Sequence, residues 1–179
     1  MGRHSGFTLV VAAGIATLVS LGTTSCGKEE QKAAEKGEKA APAAKATAPL
    51  PPALTSFAAE ITVPAPPASA KAKSQISVPA KVRNAGTQAW PAKGGPDGAN
   101  GVYLAYHWLR PDGSTALFDG KRTVFAADVQ PSSEVEVGAA VATPDEPGNY
   151  ILEFDVLQER IAWFKDRGSK TLRLEMKIE

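Results

Sequence analysis

Carboxylate and aromatic side chains are concentrated in residues 148–168, which read GNYILEFDVLQERIAWFKDRG. The acids are Glu153, Asp155, Glu159 and Asp166, and the rings include Phe154, Trp163 and Phe164. Two such carboxylates could act as the acid and base of a glycosidase, beside rings that stack on a sugar. However, Glu153 and Asp155 alternate with apolar residues, which indicates one β-strand with an apolar and a polar face. We therefore expect both carboxylates on the solvent face of that strand.

The other residues that could do chemistry are few. His107 alternates with Tyr106 and Trp108, so we expect it on a solvent face, where a general base would need a nucleophile or carboxylate from other strands. No H-x-x-x-H or C-x-x-C spacing occurs. Asp97 and Asn100 could meet Ca²⁺, but that ion takes six or more oxygens, which favours a solvated turn. The sequence therefore predicts neither an enzyme nor a metal or other cofactor.

The overall charge is close to balanced. The chain has 20 Lys and Arg residues against 19 Asp and Glu residues. A chain without a net field has no electrostatic footprint for a polyanion. We therefore expect no nucleic-acid partner.

Residues 1–25 have the form of a secretory signal. A basic start with Arg3 precedes an apolar run from Phe7 to Leu21, which is followed by small residues. This run of roughly fifteen residues is shorter than the ~20 needed for a spanning helix. The chain's one cysteine, Cys26, stands where such a signal would be cut.

Thr24, Ser25 and Cys26 resemble the lipobox of bacterial lipoproteins, although Thr23 stands where leucine is usual. The resemblance implies cleavage before Cys26, a diacylglyceryl thioether on its sulfur and an acylated amino terminus. Gly27, rather than aspartate, follows the cysteine, which by the same resemblance implies the outer membrane of a Gram-negative bacterium. A soluble secreted protein and an uncleaved membrane anchor are the alternatives.

Residues 26–56 consist largely of Ala, Lys, Glu and Pro and have no apolar periodicity beyond alanine. Such a composition buries too little apolar surface to offset its ordering entropy. We interpret this stretch as a disordered tether; contact of its lysines with the cell wall is the alternative. The folded domain is predicted to comprise residues 57–179.

Within residues 57–179 the apolar residues recur at every second position. The runs are QISVPAKVRN (75–84), VYLAYHWL (102–109), EVEVGAAVA (134–142), NYILEFDV (149–156) and TLRLEMKIE (171–179). With shorter strands near residues 59–63, 115–118 and 122–125, they predict an all-β, antiparallel sandwich of seven or eight strands. Pro79 lacks the ladder donor, so its strand should be an edge or bulged there. Opposite parities of Val156 and Ile161 predict a turn or bulge near residues 159–160.

VRNAGTQAWP (82–91) and ATPDEPGNYILEFDV (142–156) resemble an immunoglobulin-like module of the kind found beside bacterial sugar-transfer enzymes and as the four-tryptophan domain of autophagy receptors. The likeness is carried by Asn84, Gly86, Trp90, Pro147, Gly148 and Tyr150. Of the four signature tryptophans, Trp90 alone is present, so receptor function is not carried over. The resemblance implies an accessory or binding role, and a Tyr150 hydroxyl that bonds to an upstream loop.

The three tryptophans differ in their expected roles. Trp108 shares its parity with apolar neighbours and is predicted to lie in the core. Trp90, Trp163 and Phe164 follow a loop or a register break, so they are candidates for contact with a glycan or protein partner as well as for packing. The function we expect is that of a lipid-anchored, non-catalytic binding or assembly module for an envelope protein or polysaccharide. An accessory subunit or small hydrolase of envelope polysaccharide metabolism, or a purely structural lipoprotein, is the alternative.

Overall fold

The computed structural model describes residues 49–179, so the predicted signal, Cys26 and most of the predicted tether lie outside the described residues. Ten strands form there: β1 (Ala59–Thr62), β2 (Ser69–Ala70), β3 (Gln75–Asn84), β4 (Val102–Leu109), β5 (Thr115–Leu117), β6 (Thr123–Val124), β7 (Glu134–Ala142), β8 (Gly148–Gln158), β9 (Ala162–Trp163) and β10 (Leu172–Ile178). Two single 3₁₀ turns cover Pro96–Gly98 and Lys165–Arg167. In this part of the chain, no helix is long and apolar enough to cross a membrane.

The strands form two sheets. The smaller sheet has the order β1-β3-β7, and the larger has the order β2-β10-β8-β4-β5, with β6 also paired to β4 and β9 to β8. All pairs are antiparallel except β2 with β10, which run parallel. The predicted all-β sandwich is confirmed, with ten strands instead of seven or eight and with one parallel pair.

The apolar faces of the two sheets meet in the core. The fully buried residues of this core include Val78 and Val82 from β3, Tyr106 and Trp108 from β4, and Phe154 from β8. Each such side chain contributes about 1.5–3 kcal/mol when it leaves water, which is why period-two patterning suffices to form the sandwich. The prediction that Trp108 lies in the core is confirmed.

Pro79 lies in β3, between the two other strands of its sheet, without breaking a ladder. Strand β1 ends at Thr62, which lies opposite Lys81, so β3 has no β1 partner at residue 79. The nitrogen of Pro79, which carries no hydrogen, faces this unpaired side, so no hydrogen bond of the sheet is lost. Locally, β3 is therefore an edge at Pro79, as its sequence predicts.

Two features of the predicted immunoglobulin-like pattern have a direct structural role. The buried Asn84 amide donates to the carbonyl oxygens of Gln88 (2.8 Å) and Val129 (2.9 Å), and its Oδ1 accepts from Gly86 N–H (2.9 Å). The Tyr150 hydroxyl donates to the Glu146 carbonyl, 3.1 Å away, in the loop before β8. This is the upstream bond that the resemblance implies.

The ordered domain begins before Phe57. Leu54 is 6% exposed, its N–H donates to Gln158 Oε1 (2.8 Å), and Gln158 Nε2 donates to the Pro52 carbonyl (2.9 Å). The assignment of residues 51–56 to the tether is therefore wrong. One large apolar side chain and a buried glutamine hold this segment against the end of β8, and neither leaves a periodic signal.

Candidate functional site

The outer face of the larger sheet is partly covered by its own chain. After β8 the backbone turns back at Arg160, which has a positive φ of 65°, and β9 pairs Trp163 with Leu157. The following 3₁₀ turn ends at Gly168, with φ of 89°. We call residues 161–168, together with Phe118, the outer layer. The predicted change of register near residues 159–160 is this turn.

Beneath the outer layer lie the three side chains that the sequence places on a solvent face. Glu153 is 3% exposed, Asp155 is 1% exposed and His107 is 0% exposed. Their parity is as predicted, because they point away from the core between the sheets. The expectation of solvent exposure is wrong, because the outer layer covers the face that the alternation identifies as polar.

Glu153 is held by three donors. Arg173 Nε lies 2.8 Å from its Oε1, Thr171 Oγ1 lies 3.0 Å from the same oxygen, and Lys165 Nζ lies 3.3 Å from Oε2. Burial by itself raises the pKa of Glu153, but the bonds from Arg173 and Thr171 and the charge of Lys165 outweigh it. The pKa of this carboxyl therefore lies below its usual value, and Glu153 is an ionised partner of two cations.

Asp155 has the opposite character. Burial raises the pKa of its carboxyl to about 7, and the charge of Glu153 acts in the same direction. The N–H groups of Val156 (2.8 Å) and Lys165 (3.3 Å) donate to its two oxygens and partly counter that rise. Near neutral pH this group is therefore balanced between the acid and its carboxylate.

His107 lies between the rings of Trp163 (4.4 Å between centroids) and Phe118 (4.9 Å). Its Nδ1 pairs with the Phe118 carbonyl, and since a carbonyl can only accept, Nδ1 carries the proton. Nε2 is buried without a hydrogen-bond partner among the described residues. Burial lowers the pKa of His107, so this ring is held neutral.

The predicted contact residues do not form one surface. Trp90 and Phe164 are fully buried and stack edge to face with centroids 5.3 Å apart, so the prediction that they contact a partner is wrong. Phe164 points inward because it follows Trp163 by one position on the returning segment. Trp163 itself is half-buried on the outer layer, and the Arg122 guanidinium lies 5.3 Å from its ring centroid.

The exposed apolar side chains near Trp163 are ones that the sequence did not identify. Phe118 is 49% exposed, Val124 is 65% exposed and Ile161 is 37% exposed. Val124 pairs with Tyr103, Tyr103 pairs with Leu157 on the other side of β4, and Leu157 pairs with Trp163. We call Phe118, Val124, Ile161 and Trp163 the outer patch. A phenylalanine in the turn-rich stretch TALFDGKR was the available signal.

The polar groups nearby do not assemble a metal site. Within residues 49–179 no group of three His, Cys, Asp or Glu side chains could hold an ion. Asp97, considered above for Ca²⁺, pairs instead with Arg160 at 3.3 Å. A groove of about 440 Å³ opens beside Glu153 and is lined by Lys165, Lys170, Arg173 and two hydroxyl residues.

The two sheets and their strand order define an immunoglobulin-like β-sandwich. Its similarity to solved structures is low. The CARDB domain of a Pyrococcus furiosus protein has 15% identity and a TM-score of 0.41, over 68% of this chain and 92% of that one. The ASH/PapD-like domain of human CEP192 has 14% identity and a TM-score of 0.27, over 77% and 96%.

A third similar structure is a family 123 glycoside hydrolase from Clostridium perfringens, with 10% identity and a TM-score of 0.31. The match covers 63% of this chain and 22% of the hydrolase. The sequence matches no protein-family model. A comparison with curated proteins finds no match either.

Proposed function

We propose that this chain is an envelope lipoprotein, anchored through lipid on Cys26, whose immunoglobulin-like domain is a non-catalytic binding or assembly module for another envelope protein or a glycan. The observation that carries the binding role is the outer patch. Phe118, Val124 and Ile161 expose 49%, 65% and 37% of their surface on one face of the larger sheet. Clustered apolar surface of this kind typically marks an interaction site.

The state of the buried acids supports a non-catalytic role. Both oxygens of Glu153 are engaged by cations or a hydroxyl, and both oxygens of Asp155 accept backbone N–H groups. A general base must instead reach a proton on a substrate. The cluster therefore serves better as a scaffold that fixes the outer layer, and with it Trp163, on the sheet.

Between the two partner classes, the geometry of Trp163 favours a protein. A sugar stacks on a free aromatic face, whereas one side of this ring has His107 at 4.4 Å and Arg122 lies 5.3 Å from its centroid. Phe118 and Val124, which are more exposed, suit the apolar side chains of a protein surface.

Two experiments test the proposal in the native host. Cys26→Ser should release the chain from membranes without detergent, and continued membrane retention would refute lipidation. A photoreactive phenylalanine at Phe118 should crosslink to one discrete envelope component, while the same group at exposed Thr62 on β1 should not. Equal, diffuse crosslinking from both positions would refute a binding role for the outer patch.

One observation favours a second candidate, a small hydrolase or an accessory subunit of such an enzyme. The pKa of Asp155, about 7, suits a general acid at neutral pH. Turnover of an ester, peptide or glycoside that is abolished by Asp155→Asn and by His107→Ala would establish it. Turnover that survives both substitutions, or no turnover, would leave the binding module as the better account.

A further inference from the structure

The smaller sheet ends in an open edge. Strand β7 is its outermost member and pairs with β3 alone, along nine residues from Glu134 to Ala142. Strand β6 lies nearby but pairs with β4 of the larger sheet. The smaller sheet thus has three strands where the larger has five in its main order.

The hydrogen bonds at both ends of β7 establish which backbone groups face outward. Thr143 N–H donates to Ser74 O (2.9 Å), and Asn84 N–H donates to Ser133 O (2.9 Å). Because ladder bonds alternate along an antiparallel strand, odd-numbered residues of β7 bond to β3 and even-numbered ones point away. Ala142 agrees with this: its N–H donates to Tyr106 Oη (2.8 Å), and its carbonyl accepts from Trp108 Nε1 (2.9 Å).

The remaining outward groups have no partner. The backbone N–H and C=O groups of Glu134, Glu136, Gly138 and Ala140 make no hydrogen bond with any residue in the range 49–179. This part of β7 has no proline, lysine or bulge, which are common devices for protecting a free edge. At about 3.3 Å per residue the open groups extend over about 20 Å, the length of a strand of about six residues.

An apolar groove lies directly beneath this edge. It has a volume of about 710 Å³. Its floor is lined by Val124 of β6 and by Ala126 and Ala127 in the segment that follows β6, all of which are exposed. Its rim is formed by Val137 and Gly138 of β7. A strand added beside β7 would place every second side chain on this floor. The small floor and rim residues leave room for Ala or Val there.

The outer face of the same edge is acidic. Glu134 and Glu136 point to that face, and Lys81 of β3 lies 3.9 Å and 3.0 Å from their carboxylates. Lys81 reaches them from the β3 side. Arg122, which precedes β6 and lines the same groove, is paired with Asp119 and Glu159, and β6 and β7 themselves supply no counter-charge on the edge side. A basic side chain on an added strand would stand in the position that mirrors Lys81.

We propose that the free edge of β7 binds an extended segment of a partner protein, which adds a fourth strand to the smaller sheet. Its inward side chains are small or β-branched, and its outward side chains include Lys or Arg opposite Glu134 and Glu136. Main-chain bonds supply the affinity, and the alternating side chains supply the selectivity. The inference deepens the proposed binding function and rests on it for the existence of a partner. Its groove shares Val124 with the outer patch, but the edge of β7 itself contains no residue of that patch.

A second copy of the chain fits this edge less well. Pairing about a two-fold axis at Gly138 would set Glu134 opposite Ala142, whose outward groups are already bonded. Three residues of each copy would then remain to pair. An axis at Glu136 would place two like charges directly opposite each other, which is destabilising.

The test uses the full chain in detergent micelles and a fluorescent, end-blocked peptide of sequence TVKAKVT. Fluorescence anisotropy should report saturable binding, and the amide protons of Glu136, Gly138 and Ala140 should become protected from exchange. Ala140→Pro removes one outward donor without touching the β3 ladder and should weaken binding at least about tenfold. Ala140→Ser, the matched control, should bind the peptide like the wild-type chain.

Two N-methylated peptides test the wild-type edge itself, so the result does not depend on how well a proline variant folds. One is methylated on the backbone nitrogens of its two lysines, whose N–H groups face β7 in an antiparallel addition. The other is methylated on the backbone nitrogens of its valines and alanine, whose N–H groups face β7 in a parallel addition. One of the two, and not both, should lose binding. The charge-reversed peptide TVEAEVT should bind more weakly than TVKAKVT.

Equal binding by both methylated peptides, equal binding by the proline and serine variants, or no binding of TVKAKVT would overturn the inference. The outcome is separable from the proposed function. Discrete crosslinking at Phe118 without peptide binding would refute the edge and leave the outer patch standing. Peptide binding without such crosslinking would refute the outer patch and leave the edge standing.

Discussion

Asp155→Asn should remove a major source of pH dependence from the stability of this domain. The carboxyl of Asp155 has its pKa raised from 3.8 to about 7 by burial under the outer layer. A raised pKa means that the folded chain holds this proton more tightly than the unfolded chain does. Stability from this group is therefore fully present below about pH 4 and is lost as the pH rises to about 7.

The magnitude follows from the size of the shift. A rise of about three pKa units corresponds to about 4 kcal/mol lost between the ends of the window. Asparagine cannot ionise, but its amide nitrogen would face the Lys165 N–H that now donates to Asp155 at 3.3 Å. That mismatch costs about 1 kcal/mol. The variant should thus be about 1 kcal/mol less stable at pH 4 and about 3 kcal/mol more stable at pH 8.

The measurement is urea unfolding of the unmodified chain and the variant at pH 4, 5, 6, 7 and 8, at constant ionic strength. His107 acts in the opposite direction, because burial lowers its pKa and the folded state loses stability as the ring is protonated. Subtracting the two chains cancels that contribution. Asp166→Asn, at an exposed position, is the control. A difference that stays constant from pH 4 to pH 8 would refute the assignment of Asp155.

Three further outcomes follow from the same structure. Arg173→Ala should destabilise the domain by about 1 kcal/mol at pH 7 and by less at pH 3, because Glu153 loses a donor at 2.8 Å but the arginine is mostly exposed; unfolding curves with equal shifts at both pH values would contradict the ion pair. Leu54→Ala should cost about 2–3 kcal/mol in thermal or urea unfolding, because its side chain is buried against the end of β8; a change within error would return residues 51–56 to the tether. Trp163→Phe should remove most acrylamide-quenchable tryptophan fluorescence, because Trp90 and Trp108 are fully buried; quenching that persists in the variant would show that the other rings are accessible.

The sequence predicts the sandwich because burial acts on alternate residues. Leu152 and Phe154 had to face the core whatever covered the other side, so the apolar parity of β8 is readable from the chain. Parity does not report coverage, however. Whether Glu153 and Asp155 meet water depends on where residues 161–168 fold back, which is a tertiary event with no local period. The same holds for Leu54, whose burial depends on the distant side chain of Gln158.

The candidate site was less predictable than the fold for a related reason. Aromatic side chains were the best sequence signal for a contact surface. Trp90 and Phe164 nevertheless lie in the core, because burying a large aromatic ring is favourable wherever the fold provides an interior. Of the exposed members of the outer patch, Phe118 directly follows the short strand β5 and Val124 ends the short strand β6, in a stretch whose sequence resembles turns. The open edge of β7 has no residue signature at all, because it consists of backbone groups that another strand has not used.

The two sheets differ in how completely their polar groups are paired, and this difference bears on where a partner binds. Under its own returning chain the larger sheet buries the ionised carboxylate of Glu153, the carboxyl of Asp155 with its pKa of about 7, and the neutral imidazole of His107. Burying such groups costs free energy unless each one is paired or neutral. The smaller sheet leaves four consecutive outward positions of its last strand unpaired above an apolar floor. A chain that satisfies buried charges on one sheet while it leaves main-chain groups open on the other is suited to receive a strand at that edge. For this reason we expect a partner protein to bind at the edge of β7 as well as at the outer patch, rather than at the buried acids that first suggest chemistry.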